Sequence, residues 1–337
     1  MEVNLLFLFP NSQSLKIRII KIGGASGMYR LQEPYQNLDF GYKYVFSDYL
    51  TDDDIADEEL KAVIIQRPAH PEMPQFIMDL RKAGKIVVGE IDDDLTNIPA
   101  SNHSFNEFKG RLKDIQESLK CCDYVHVSTP ELKKNDRYIV FGNAIRTEKY
   151  VEEKKWNEPK IVGWHGSPTH TDSLLMIKEV IKELLSGGVR VILQSNLDWL
   201  KTIFSPHPLL ELKGWVNVDE SYRIPMQFDI NLAPLPDTAF NRSKSELRCI
   251  EAAAWSVPTV SSDVAPYRRF HTLSGGANIL IKKERTKEWV KEIMKLLEDK
   301  EHYSHHSRLS KEAVLKHYDL KIINQKRKEW WLKVLEK

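Results

Sequence analysis

Short apolar runs recur along the chain, and longer amphipathic stretches separate most of them. A strand buried on both faces reads as a short apolar run, and a helix covering it shows the 3.6-residue period. The alternation therefore predicts parallel α/β units. In the first half it predicts strands over 16–22, 42–46, 62–65, 85–91, 124–127 and 138–140, with helices over 34–38, 71–83 and 105–119. The acidic run 48–59 reads as a solvated loop and helix start. The pattern restarts after 160, with strands over 161–164, 189–194, 209–212, 228–235, 259–261 and 278–281. A helix over 171–185 is stopped by Gly187 and Gly188, and the remainder is helical over 287–297, 304–317 and 320–334.

Segment 148–159 is charged, holds no apolar run and ends at Pro159, which marks a linker between two units. A length of 337 residues lets each unit bury its own core. Lys+Arg 49 against Asp+Glu 48 leaves a net charge of +1, which excludes a whole-molecule field for nucleic acid. Three cysteines, an odd number, fit a reducing compartment better than a disulfide framework. The vicinal pair Cys121-Cys122 reads as the end of a packed helix. The apolar run 5–9 is too short to span a membrane, and no later run reaches the needed length. A cytoplasmic protein is expected, with peripheral membrane contact left open.

Four segments carry candidate chemistry. After the 228–235 strand, a polar loop leads to Lys244, Arg248 and Glu251. Spaced four and three apart on the helix that the loop opens, these share one helical face. Such a face can hold a diphosphate with its cations and a sugar hydroxyl with its carboxylate; it also reads as a solvated salt-bridge face. Gly23-Gly24-Ala25-Ser26-Gly27 follows the first strand, with spacing that fits neither a dinucleotide fingerprint nor a P-loop. It is a close-approach turn for a phosphate or sugar, or a plain tight turn. Asp92, Asp93 and Asp94 end the 85–91 strand, where mutual repulsion demands a use for them. Asp92 or Asp93 facing substrate hydroxyls is one use; an Asx turn or helix cap is the other. Gly163-Trp164-His165-Gly166-Ser167-Pro168-Thr169-His170 joins a strand to a helix, a plausible anion site and an ordinary helix start. His302, His305, His306 and His317 read as exposed helix residues without metal-ligand spacing.

The segment 234–267 resembles the donor-binding region of retaining nucleotide-sugar glycosyltransferases of the GT-B fold. The likeness rests on Glu251-Ala252-Ala253-Ala254 and on Ser256-Val257-Pro258-Thr259-Val260-Ser261-Ser262. The Gly163–His170 segment, the glycine turn with Gly23, Gly24 and Gly27, and Asn143 extend it. The resemblance implies two doubly wound Rossmann-like domains facing each other across a cleft. An acceptor domain is expected over 1–150 and a donor domain over 151–318, with a helix over 319–337 crossing back to the first. It implies transfer of a hexose or pentose from a nucleotide sugar to an acceptor hydroxyl, with retention, without metal and without a cofactor beyond the donor substrate. Donor contacts fall on Gly23, Gly24, Gly166, Ser167, Asn241, Ser243, Lys244, Ser245, Arg248 and Glu251. Glu251 inherits the ribose contact, and Lys244 and Arg248 neutralise the departing diphosphate. Two departures from the family stand out: Ser243 occupies the place of an earlier Glu, and Asp92 or Asp93 the edge where a His is usual. Lys244, Asp92 and Asp93 are the expected catalytic groups. A GT-B nucleotide-sugar epimerase, a non-catalytic sugar-nucleotide-binding module, and a transferase using a nucleic-acid base as acceptor stay open beside a glycan or small-molecule acceptor.

Overall fold

Two six-stranded sheets, each parallel throughout, form the centres of two lobes. The first contains β1 (Lys16–Ile20), β2 (Lys43–Ser47), β3 (Leu60–Gln66), β4 (Ile86–Ile91), β5 (Tyr124–Val127) and β6 (Tyr138–Val140). The second contains β7 (Ile161–His165), β8 (Arg190–Gln194), β9 (Leu210–Lys213), β10 (Ile230–Ala233), β11 (Thr259–Ser262) and β12 (Ile279–Ile281). The computed structural model describes residues 15–152, 154, 156, 161–282 and 285–336. The apolar run 5–9, much of the expected linker and Lys337 lie outside the described residues.

Strand order is β2-β1-β3-β4-β5-β6 in the first sheet and β12-β11-β10-β7-β8-β9 in the second. The direction of winding reverses between β1 and β3, and again between β7 and β10. At such switch points the loops diverge and leave a crevice outside the carboxyl ends of the strands, where α/β sheets bind ligands. Helices cover the sheets, so β3 and β10 are buried along nearly their whole length. That burial is why the strands read as apolar runs and not as alternation.

Several elements differ from the sequence expectation. The helix expected over 34–38 begins ten residues earlier. It runs Gly24–Gly27, passes through a π-helical turn Met28–Gln32 and continues as Glu33–Gln36. Three helix-breaking residues disguise it. Gly24 takes φ +75, which a side chain disfavours, and a Cβ on Gly27 would lie 1.9 Å from the Ile22 carbonyl oxygen. Pro34 has no N–H to give, and it follows a turn whose wider register is closed by the Glu33 N–H on Met28. The expected 171–185 helix breaks at Ile177 into Thr171–Met176 and Lys178–Ser186. The expected 304–317 helix starts at Lys300, because Asp299 caps it by accepting from the His302 N–H. Helices Leu197–Ile203 and Ala265–Leu273 are additional to the expected set.

The Leu320–Leu335 helix belongs physically to the first lobe. Asn324 Nδ2 donates to the carbonyls of Pro34 (2.8 Å) and Asn37 (2.9 Å). Trp331 Nε1 donates to the Tyr35 hydroxyl at 3.0 Å, and the indole is fully buried among Ile17, Ile19, Leu31 and Val88. Trp330 meets Tyr124 and His126 edge-on. Arg327 is buried over the Phe141 ring, and that burial pulls its guanidinium down to about 10. Trp331→Ala leaves an indole-sized void and an unpartnered Tyr35 hydroxyl. Urea denaturation should show a loss of about 3–5 kcal/mol; a loss under ~1 kcal/mol would show that the helix is not part of the first core.

Candidate functional site

The carboxyl ends of the two sheets face each other across a cavity of about 210 Å³. From the first lobe it is lined by Ala25, Ser26, Tyr29 and Arg30 of the helix after β1, by Asp92 and Asp93 after β4, and by Asn143 after β6. From the second lobe come His170 after β7, Leu235 after β10, Lys244, Ser245, Leu247, Arg248 and Glu251 from the following segment, and Tyr267.

Lys244 does not share a helix with Arg248 and Glu251. Thr238 caps a short helix, Ala239–Arg242, which ends in Ser243-Lys244-Ser245, and the next helix, Leu247–Ala254, starts after Glu246. The Lys244 carbonyl accepts from Arg269 Nη2 at 2.7 Å, and the Leu247 N–H approaches Ser245 Oγ at 3.4 Å. Arg269 and the serines thus supply the partners that a continuous helix would have supplied. The loop still brings Lys244 to the cavity, where its ammonium lies 3.1 Å from Asp93 Oδ1 of the opposite lobe and 4.3 Å from the Phe240 ring centroid.

Arg248 is seated by a missing side chain. A Cβ on Gly166 would come within 2.9 Å of the Trp164 ring and 3.0 Å of Arg248 Nη2. The guanidinium lies over Trp164 at 5.8 Å, and its Nη1 is buried without a hydrogen-bond partner among the described residues. Glu251 accepts from the Tyr29 hydroxyl across the lobes at 2.6 Å. Burial pushes the Glu251 carboxyl above its ordinary range, against the pull of Tyr29 and Arg248. His165 Nε2 stands 3.9 Å from Glu251 Oε2, too far for a hydrogen bond, and burial beside Arg248 holds this imidazole neutral.

The acidic end of β4 is divided by Arg67. Its Nε and Nη2 donate to Asp92 Oδ1 at 2.9 and 2.6 Å, while Asp93 Oδ2 is 3.7 Å away. Ser26 also donates to Asp92, and Ser128 Oγ donates to the Asp92 carbonyl at 2.8 Å. Burial works to raise the Asp92 carboxyl, but Arg67 and Ser26 outweigh it and hold it below the usual range. Arg67 takes φ +47, a conformation uncommon outside glycine. Behind the cavity, buried Arg30 donates to Glu90 (2.6 Å), the Phe141 carbonyl (2.6 Å) and Asn143 Oδ1 (3.0 Å). Asn143 Nδ2 in turn donates to Ser245 Oγ of the second lobe at 2.7 Å.

The structure thus brings Asp92, Asp93, Lys244, Ser245, Arg248 and Glu251 to one cavity. Gly23, Gly24, Gly166, Ser167, Asn241 and Ser243 do not line it. Gly23 and Gly24 shape the helix start, and the Gly166 N–H is spent on the Gln194 carbonyl. Ser167 pairs with Thr169. Asn241 Nδ2 donates to the Pro236 carbonyl, and Ser243 Oγ to that of Phe240. Arg242 pairs with Asp237. Sequence reasoning assigned no role to Ser26, Tyr29, Arg67 or Tyr267. A cation directly after a buried strand, as in Gln66-Arg67-Pro68, was the one signal available for Arg67. Among the described residues, no group of three His, Cys, Asp or Glu is placed to hold a metal ion, and no helix is long and apolar enough to cross a membrane.

Neither a protein-family model nor a curated protein matches the sequence. Solved structures do match in fold. HepE of Anabaena, solved with UDP and glucose, is 12% identical over 94% of this chain and 99% of its own, with a TM-score of 0.67; its UDP-glucose complex matches with the same score. Sucrose-phosphate synthase of Thermosynechococcus elongatus is 10% identical over 96% and 99%, with a TM-score of 0.71. A glycosyltransferase of Rickettsia africae is 8% identical over 95% and 98%, at 0.66. These similarities establish the fold as GT-B: two Rossmann-like domains facing each other across a cleft.

Asp92 gives the site a pH signature. Its folded carboxyl lies below the unfolded value of about 3.9, so its contribution is fully present above that value and disappears as pH falls through the folded one. Asp92→Asn strands the Arg67 guanidinium and should cost about 3 kcal/mol at pH 7 in urea denaturation. The gap between variant and wild type should close below about pH 4. A gap that is constant across pH would remove the ion pair from the explanation.

Proposed function

We propose that the protein is a glycosyltransferase that moves a sugar from a nucleotide-sugar donor to an acceptor hydroxyl. The observation that carries this reading is the Arg248 guanidinium at the cavity, whose buried Nη1 has no hydrogen-bond partner among the described residues, with Lys244 on the same wall. A pyrophosphate supplies the acceptor oxygens that such a nitrogen lacks, and buried charge without a partner is costly. Glu251 lies beside them with Oε1 on Tyr29, leaving Oε2 for a ribose hydroxyl. The GT-B neighbours that hold UDP and UDP-glucose support a uridine nucleotide as the first donor to test.

In this reading the donor's pyrophosphate competes with Asp93 for Lys244. Once Lys244 turns to the phosphates, it stabilises negative charge as the bond between the anomeric carbon and the phosphate oxygen breaks. Asp93, released, faces the acceptor hydroxyl. Water is excluded by closure of the lobes, including the approach of Ser101 and Asn102 to Asp172 and Thr169 across the cleft. Metal independence follows the family resemblance, and Asp92 is already taken by Arg67 and Ser26. Retention of configuration, and a hexose or pentose as the group moved, follow the resemblance of segment 234–267. The free thiols of Cys121, Cys122 and Cys249 fit a cytoplasmic enzyme.

A thermal-shift panel of UDP-, GDP-, ADP- and dTDP-sugars should raise the melting temperature with one base family. Lys244→Ala should then lower kcat with that donor by about 10²-fold or more while costing under ~1 kcal/mol of stability. Turnover should survive EDTA, and NMR of the product should show the donor's anomeric configuration. A panel without any shift, or equal losses of turnover and stability in Lys244→Ala, would defeat the proposal.

A further inference from the structure

His170 lines the cavity together with Lys244 and Arg248, and no side-chain hydrogen bond ties its ring to any described residue. Its neighbours on either side in the chain are occupied. Thr169 pairs with Ser167 and its carbonyl accepts from Asn102, while Thr171 donates to the Pro168 carbonyl. The backbone of His170 is fixed by its N–H on the Ser167 carbonyl. The imidazole is thus a held but unengaged polar group on the cationic wall of the cleft.

The charges around it explain its state without a ligand. Arg248 approaches from the Leu247–Ala254 helix, Lys244 from the loop before it, and neutral His165 from the end of β7. Across the cavity stand Asp92 and Asp93, whose charges are taken up by Arg67 and Lys244, and Glu251 on Tyr29. Asp172 and His103 lie on the outer side, tied to Ser101 and Thr171 respectively. Burial, then Arg248 and Lys244, hold the ring far below its ordinary value, so it is neutral at pH 7. A nucleoside diphosphate reverses the sign of this environment. Its two phosphates bring more negative charge than Lys244 and Arg248 carry to spare, in a site partly shielded from water.

We infer that His170 is a contact for the donor's diphosphate and takes a proton from solvent as the phosphates enter. The inference rests on the reading of the cleft as a nucleotide-sugar site. No covalent bond changes: one proton leaves the buffer for each ring that ionises, and the imidazolium donates to a phosphate oxygen. Both ring nitrogens are then donors, so whichever one faces the phosphate donates to it with a charge-assisted bond. Donor affinity would accordingly depend on pH through this ring.

Calorimetric titration of UDP, and separately of inorganic pyrophosphate as a probe without a base, into wild type and His170→Gln tests this. Each is run at pH 7 in two buffers of different ionisation enthalpy. Wild type should take up close to one proton per UDP bound, and His170→Gln should take up substantially less and bind UDP about tenfold or more weakly. The wild-type affinity should weaken from pH 6.5 to 8 more steeply than that of the variant. Histidine ¹³C resonances of wild type, assigned by comparison with His170→Gln, should show the His170 titration moving upward when UDP is added. UDP binding with no proton uptake, or with uptake equal in both proteins, overturns the inference and leaves the donor reading intact. Failure of UDP, of the nucleotide panel and of pyrophosphate to bind overturns both.

Discussion

Polar groups at the carboxyl ends of two parallel sheets find their partners in the opposite lobe, and this pairing fixes how the lobes meet. Tyr29 donates to Glu251, Asn143 to Ser245, and Lys244 pairs with Asp93. Thr129 donates to the Ser243 carbonyl, and Arg269 joins Glu131 of the first lobe to Glu246 of the second. Apolar contacts add to these: Phe240 of the second lobe packs with Ile91, Leu95 and Phe108 of the first, and Met28, Tyr29 and Ile145 of the first join the buried cluster of the second. The polar contacts are exchangeable for equivalent ones from a ligand, while the apolar ones hold the lobes together.

Within that arrangement the cleft separates its own acids. Three consecutive aspartates would repel one another, yet each is given a different employer. Arg67 and Ser26 take Asp92, Lys244 takes Asp93, and Asp94 accepts from the Thr96 N–H to cap a short turn. The guanidinium that begins this division sits on a backbone of positive φ. Strain of that kind persists only where surrounding contacts over-determine it. Here those contacts are the Glu90 carbonyl on the Arg67 N–H, the Asp92 carboxylate and the Phe108 ring.

The strands and the two-lobed plan were legible in the sequence because both faces of each sheet are buried, which writes them as apolar runs. Asp92, Asp93, Arg248 and Glu251 were legible as charges beside strand ends. Less legible was anything decided by distant partners. The helix starting at Gly24 reads as a turn, since two glycines and a proline argue against it locally while packing against β3 and β4 decides for it. Lys244 reads as helical by spacing, and Arg269, 25 residues away, together with Ser245 shows why it is not. The Tyr29–Glu251 bond joins residues 222 apart, a relation no local pattern can carry. Gly166 reads as a phosphate-facing glycine, whereas its observed part is to leave room for a guanidinium.

The Leu320–Leu335 helix has a consequence for how the chain comes into being. Trp331 and Tyr35 are 296 positions apart, and the wall that Trp331 completes surrounds β1 and β3, which leave the ribosome long before it. During synthesis those strands have no indole to close over them, while the second lobe can assemble from contiguous sequence. A nascent first lobe therefore keeps an apolar face open until translation has passed the second, which places its greatest exposure to chaperones and to self-association before the cleft exists.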